Sequence, residues 1–303
     1  MSIDSRTPFL ILDGGLATEL ERRGYDISGP VWSARVLMET PEAIEQLHYD
    51  YFTVGADCVI TASYQASYEG LATLGLSQEE TSALLLQSVS LAEAARDRFN
   101  KDSADEKRRY VAASVGPYGA TLHDGSEYHG NYGLSFAELK SFHEKRFMVL
   151  SGSTPDVLAC ETIPSLDEAR ALAGLLREHA ATDAWFSFTS PDGVHTAHGE
   201  KLVDCARFLD AEERVIAVGV NCVHPRVVRT AIRELIAGTD RPIVVYPNSG
   251  ERWDIVQHKW TGVPDDESLA TLAPSWVESG ASIVGGCCRT GPKEIADLAQ
   301  ALA

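Results

Sequence analysis

The chain has 303 residues, 44% of them hydrophobic and 23% charged, which is ordinary globular composition with length for one barrel of about 250 residues plus loops. Asp and Glu total 44 against 26 Lys and Arg, a formal charge of -18. Such a surface repels phosphate backbones and anionic headgroups, so neither nucleic acid nor a membrane is an expected partner.

The start, Met1 to Arg6, is polar, and the first apolar run, Phe9 to Leu12, is too short for a signal peptide or a span. A cytoplasmic protein is expected. Its six cysteines should then be thiols, metal ligands or buried hydrophobes rather than disulfides.

In chain order, strands are expected at Phe9–Asp13, Cys58–Thr61, Tyr110–Val115, Val157–Glu161, Ala184–Thr189, Val215–Cys222, Pro242–Tyr246 and Ser282–Cys287. Amphipathic segments between them include Pro41–Val54, Ser77–Phe99, Phe136–Leu150, Ser165–Ala180, Pro225–Ala237 and Asp266–Ser279. Strand–helix alternation implies parallel strands joined by crossover helices. Eight such units, with no division along residues 1–303, point to a single (β/α)8 TIM barrel domain. An open doubly wound sheet uses the same alternation, but the unusual residues fall at the C-terminal ends of the first, third, fourth, sixth, seventh and last strands. Only closure brings the first and last of these together. Lys101–Arg109 reads as a solvated connection. The long segments 116–134 and 247–265 follow strand ends, where barrels build lids and substrate walls.

The strongest chemical signal is Gly285-Gly286-Cys287-Cys288 at the last strand end, with Gly219-Val220-Asn221-Cys222 two strands earlier. Zinc takes thiolates at about 2.3 Å, so its sulfurs must lie within roughly 4 Å of one another. Alternate barrel strands feed one interior layer, so the sixth and eighth can deliver cysteines to one point. Neighbouring cysteines converge only where the pleat ends, and Arg289-Thr290-Gly291-Pro292 is a suitable exit. Three ligands leave one coordination position open, which is the catalytic pattern. Cys58, Cys160 and Cys205 stand alone and are expected in the core. The nine histidines do not organise into a second site.

Several long motifs resemble the homocysteine S-methyltransferase family along essentially the whole chain. They run from Leu12-Asp13-Gly14-Gly15-Leu16-Ala17-Thr18-Glu19-Leu20, Trp32-Ser33-Ala34 and Ile60-Thr61-Ala62-Ser63-Tyr64-Gln65-Ala66 to Ser114-Val115-Gly116-Pro117-Tyr118-Gly119. They continue through Leu158-Ala159-Cys160-Glu161-Thr162, Gly219-Val220-Asn221-Cys222 and Tyr246-Pro247-Asn248-Ser249-Gly250-Glu251, and end in Gly285-Gly286-Cys287-Cys288-Arg289-Thr290. The resemblance is to the class that uses S-methylmethionine or S-adenosylmethionine. Thr162 and Gln65 stand where the betaine-using class has a tyrosine and an aromatic residue.

The resemblance implies that Cys222, Cys287 and Cys288 bind one zinc ion, with the sulfur of L-homocysteine in the fourth position. It implies that Asp13 and Glu161 bind the substrate amino group and that Asn248 is an oxygen ligand when no substrate is bound. Coordination ionises a thiol that is otherwise mostly protonated at neutral pH, and the thiolate then attacks the methyl carbon in line to make methionine. Asp13 could instead cap a helix, whereas a carboxylate closing an apolar strand, as Glu161 does, requires a cationic partner. Ser114 and Ser63 are candidate contacts for the substrate carboxylate. Trp32, Tyr64, Tyr118, Tyr128 and Trp253 are candidate aromatics for the donor cation, of which about two should touch it. A monomer or weak homo-oligomer is expected. Selenocysteine is an alternative acceptor, and a zinc hydrolase or a non-catalytic zinc-thiol barrel are the alternative classes.

Overall fold

The computed structural model describes residues 9–27, 33–179, 181–254, 259–262 and 267–303. Eight parallel strands form its centre: β1 Leu10–Ile11, β2 Cys58–Ile60, β3 Tyr110–Val115, β4 Val157–Ile163, β5 Ala184–Phe188, β6 Val215–Asn221, β7 Ile243–Tyr246 and, after two short strands described below, β10 Ala281–Val284. They pair in the order β1-β10-β7-β6-β5-β4-β3-β2. The two ends of that order meet: Leu12 bridges Cys58, the Asp13 amide donates to the Cys58 carbonyl at 3.0 Å, and the Asp57 amide to the Ile11 carbonyl at 2.7 Å. The sheet is therefore a (β/α)8 barrel, as the alternation predicts.

Helices occupy the intervals between strands: α1 Leu16–Arg22, α2 Ser33–Glu39, α3 Pro41–Thr53, α4 Tyr68–Ala72, α5 Gln78–Asp102, α6 Tyr118–Leu122, α7 Phe136–Gly152, α8 Leu166–His179, α9 Leu202–Asp210, α10 Val228–Ile236, α11 Leu269–Glu278 and α12 Pro292–Leu302. Local chemistry sets the start of α5 and of α7. Ser77 accepts from the Glu80 amide while Glu80 reaches back to the Ser77 amide, and Ser135 and Glu138 repeat the arrangement. The segment after β7 carries an antiparallel ribbon, β8 Arg252–Asp254 with β9 Lys259–Thr261. Among the described residues no helix is long and apolar enough to cross a membrane.

Successive strand residues point to opposite faces, so each strand feeds two cores. Leu10, Leu12, Cys58, Ala112, Ala159, Trp185, Ala217, Val244 and Tyr246 pack inside the barrel. Ile11, Val59, Val111, Leu158, Cys160, Phe186, Val218 and Val245 pack outward under the helices, and Cys205 joins them from α9. Cys58, Cys160 and Cys205 are fully buried, in line with the core role expected of them.

Two features of the barrel depart from a plain reading of its sequence. The stretch 101–109 is not simply solvated. Arg109 is buried and, with Lys107, pairs with the buried Asp57 at 2.7 and 2.8 Å, sealing the N-terminal face of the barrel. In β6, Gly219 lies so close to β7 that a Cβ there would overlap the Val244 carbonyl. Gly219→Ala is expected to destabilise the fold by about 3 kcal/mol through overpacking of a rigid sheet. Denaturant unfolding would measure this, and a loss below about 0.5 kcal/mol, within the range of a neutral surface change, would refute the close approach.

Candidate active site

Period-two alternation carries the inward row of each strand up to a polar cluster at the C-terminal mouth. Above Ala112 comes Ser114, above Ala159 comes Glu161, above Trp185 comes Ser187, and above Ala217 and Gly219 comes Asn221. The Ser114 hydroxyl donates to Glu161. Trp185 Nε1 donates to the Tyr246 hydroxyl at 3.1 Å, which is 2.7 Å from Ser187 Oγ. Ser187 in turn donates to Asn221 Oδ1 at 2.8 Å.

Asn221 then fixes the next strand end. Its Oδ1 accepts from the Thr162 amide at 2.7 Å and its Nδ2 donates to Thr162 Oγ1 at 2.8 Å. Thr162 is left-handed at φ 58°, and the β4–β5 register shifts between Cys160 and Ile163. A β-branched residue in that region costs on the order of 1–3 kcal/mol and persists only where its surroundings enforce it. Here the bulge ends the regular pleat beside Glu161, whose carboxylate lines the cleft.

That cleft, with a cavity volume of about 130 Å³, opens at the barrel mouth and is lined by Gly14–Thr18, Ile60–Ala62, Tyr64, Gln65, Glu127, Tyr128, Glu161, Thr162, Cys222, Tyr246, Trp260 and Gly286–Cys288. Three sulfurs meet on its wall. Cys222 follows β6 at φ 50°, a left-handed turn that ends the strand. Beyond β10, residues 285–288 stay bonded on both sides: the Gly285 amide to Val245, Gly286 to Asp13, Cys287 to Pro247, and Cys288 to Asn248 Oδ1 at 3.1 Å. The pleat ends at Val284, three residues sooner than the sequence suggests, so the neighbouring cysteines are free to converge. Gly15 and Gly286 admit this loop, since a Cβ on either would strike Cys287 O or Thr290 Oγ1.

The Cys288 sulfur lies 3.9 Å from that of Cys222 and 4.0 Å from that of Cys287, and all three fall within 4.8 Å of one another. Separations near 4 Å suit thiolates sharing one zinc ion at about 2.3 Å. Cys222 and Cys287 come closest of the three, with Cα atoms 5.7 Å apart, within reach of a disulfide that the sequence reading did not expect. Strand ends that converge three thiols on one point also bring them within reach of each other. Reduced, the three sulfurs form a group that could hold one metal ion. Burial, with the charges of Glu127 and Glu161, pushes the remaining Cys288 thiol up to about 12.

Asp13 is 1% exposed. Its Oδ2 accepts the Ile60 amide at 2.8 Å while its Oδ1 has no partner. Desolvation foremost, then the charge of Glu161, raises its pKa well above the carboxylate range. Desolvation pushes Glu161 up to about 7, against the opposing pull of hydrogen bonds from Ser114 and Tyr246. Two buried carboxyls, one of them with an unpartnered oxygen, are a costly arrangement that a nearby cation would relieve.

The remaining candidates divide. Tyr64 and Tyr128 line the cleft. Tyr118 does not: its ring packs 5.1 Å from Tyr132 and 4.9 Å from Phe142. Asn248 uses its oxygen to hold the Cys288 amide, tying the β7 end to the cysteine loop, and Ser63 donates to the Ser114 carbonyl. Trp32 and the side chain of Trp253 lie outside the described residues. Glu127 and Trp260, which sequence reasoning did not single out, also line the cleft.

A closed (β/α)8 barrel with a thiol cluster and buried carboxyls at its C-terminal mouth has the architecture of a small-molecule enzyme. Residues 10–302 match the family model described as homocysteine S-methyltransferase. Homocysteine S-methyltransferase YbgG of Bacillus subtilis (strain 168) is 48% identical over 295 residues, 96% of this chain and 94% of its own. Selenocysteine methyltransferase of Astragalus bisulcatus is 43% identical over 311 residues, covering 96% and 92%. The metallated form of the homocysteine methyltransferase MmuM from Escherichia coli superposes with a TM-score of 0.88 at 42% identity, covering 97% and 96%. The chain belongs to the homocysteine S-methyltransferase family and is a methyltransferase.

Proposed function

We propose that the protein is a zinc-dependent homocysteine S-methyltransferase that forms methionine from L-homocysteine and a sulfonium donor, S-methylmethionine or S-adenosylmethionine. The observation that carries this reading is the placement of three cysteine sulfurs and Glu161 on one cleft, with the buried Asp13, whose Oδ1 has no partner, at the strand end bonded to the cysteine loop. Cys222, Cys287 and Cys288 in their reduced state would hold the metal, which when bound supplies the Lewis acidity that keeps a thiol ionised at neutral pH.

The residues of the chain do the rest. Asp13 and Glu161 receive the substrate ammonium, Ser114 holds Glu161 in place, and Asn248 holds the loop that carries Cys288. The homocysteine sulfur attacks the methyl carbon from the side opposite the donor sulfur. The carbon–sulfonium bond breaks, its electron pair stays on the donor as a neutral thioether, and the thiol proton leaves to solvent. No general base is needed at carbon, so alignment of the two sulfurs supplies most of the acceleration. The thiolate environment and the aromatic cleft favour this over hydrolysis, which wants a harder metal site and a base beside it. Selenocysteine is the second reading for the acceptor, supported by the Astragalus relative. We take residues 1–303 as one domain acting in the cytoplasm as a monomer or weak homo-oligomer.

The test is elemental analysis and assay of protein prepared with a thiol reductant. About one zinc per chain and methionine formed from homocysteine with at least one of the two donors are expected. Absence of transfer with both donors in zinc-loaded protein would end the proposal.

A further inference from the structure

We propose that Glu127, flanked by Tyr64 and Tyr128, forms a second cation station in the cleft that receives the positively charged methyl donor. The station is distinct from the Asp13–Glu161 station of the acceptor, and the proposal rests on the sulfonium reading above.

Glu127 belongs to a single turn, Ser126–Tyr128, in the wall between α6 and α7. The turn is firmly built. The Ser126 amide donates to Asp124 Oδ1 at 3.0 Å, and the Tyr128 and Gly130 amides donate to Gly125 and Ser126 carbonyls at 2.9 and 2.8 Å. Gly119 of α6 packs against it so closely that a Cβ there would overlap the Glu127 amide. The side chain lines the cleft, yet its Oε2 is buried with no hydrogen-bond partner. The charge acting on it, that of Asp124, has the same sign, and burial pushes the carboxyl up to about 7.

A carboxylate is not held this way for stability. Burial without a partner destabilises the ionised form, so the arrangement makes sense when a cation arrives. The acceptor's ammonium already has Asp13 and Glu161. A sulfonium donor brings the second positive charge, and it must approach the sulfur cluster to react. Glu127 lines the same cleft as the three sulfurs. Tyr64 and Tyr128 line that cleft together with Glu127 and Glu161. Two tyrosine faces beside a carboxylate are the chemistry that binds an organic cation stripped of water.

The experiment is calorimetric binding of S-methylmethionine, of S-adenosylmethionine and of homocysteine to reduced, zinc-loaded wild type, Glu127→Gln and Tyr128→Ala, with steady-state kinetics beside it. Glu127→Gln keeps shape and loses charge. It should weaken donor binding and raise donor KM by about 30-fold or more, the scale of a lost charge-assisted contact, with homocysteine affinity and zinc content unchanged. Tyr128→Ala should weaken the donor by about 5-fold through a lost ring contact, and Tyr128→Phe, which keeps the ring, by less. Unchanged donor affinity in Glu127→Gln would overturn the proposal, as would an equal loss for homocysteine. Wild type that binds the sulfonium through Glu127 but transfers no methyl group would remove the proposed reaction and leave the station standing. Wild type that binds no sulfonium would remove both.

Discussion

Cys288→Ala is expected to lose its zinc and, with it, methyl transfer. Apparent binding energies of structural zinc sites run near 10–16 kcal/mol, so removing one of three thiolates should lower affinity by roughly 10³-fold or more. Metal content should fall from about one ion per chain to a small fraction, and methyl transfer by a similar three orders of magnitude. Cys288 is the informative position because its sulfur lies about equally far from both of the others, 3.9 Å from that of Cys222 and 4.0 Å from that of Cys287, so its removal opens the cluster. A cysteine thiol is mostly protonated at pH 7, so the metal must displace a proton, and zinc uptake should weaken as pH falls. Homocysteine affinity should drop far less than turnover if Asp13 and Glu161 hold the amino end. A variant that keeps both zinc and turnover would show that the convergence of three sulfurs has no chemical consequence.

Much of this site was legible before any coordinates, and the reason is the barrel itself. Parallel strands buried on both faces read as unbroken apolar runs, so β3, β4 and β6 stand out in the chain. Closure of the sheet then makes strand ends distant in sequence into neighbours, which is why Cys222 and the Cys287–Cys288 doublet could be placed together. The helices α1, α4, α6 and α9, of 5 to 9 residues, span too few turns for an apolar period to show.

Backbone reversals were harder still. Nothing in Thr162 or Cys222 announces a left-handed conformation, since neither is a glycine or an asparagine. The enforcing group for Thr162 is Asn221, 59 positions along, and that dependence exists only once β4 and β6 flank β5. Tyr118 shows the converse limit. An aromatic in a Gly-Pro-Tyr-Gly loop looks like a cleft residue, but Tyr132 and Phe142 offer its ring an apolar seat instead. Glu127 escaped notice because a lone carboxylate in a polar loop carries no signal until its burial is known.

Glu161→Gln should make the metal-free protein more stable and the enzyme far worse. Glu161 is 6% exposed and its carboxyl is held up to about 7 by desolvation, against about 4.3 for a free glutamate. A raised pKa means that the folded state binds the proton more tightly than the unfolded state does. The contribution to stability is therefore full below about pH 4 and is lost as pH rises through 7. At pH 8 the buried charge should cost about 3 kcal/mol, from some two and a half pKa units at 1.36 kcal/mol each. Glutamine is neutral throughout and can still accept from Ser114. Unfolding midpoints should accordingly coincide near pH 4, with the variant ahead by about 3 kcal/mol at pH 8.

Activity should move the other way. Neutralising one member of a buried charge pair typically costs 2–5 kcal/mol, so kcat/KM for homocysteine should fall by roughly 10²- to 10³-fold. In wild type the same parameter should decline below about pH 7, as the free enzyme's Glu161 takes up a proton and no longer attracts the ammonium. A variant less stable than wild type at pH 8, with homocysteine kinetics intact, would make Glu161 a structural carboxylate. The expected result makes it a charge that the barrel holds at its own expense until the substrate ammonium arrives.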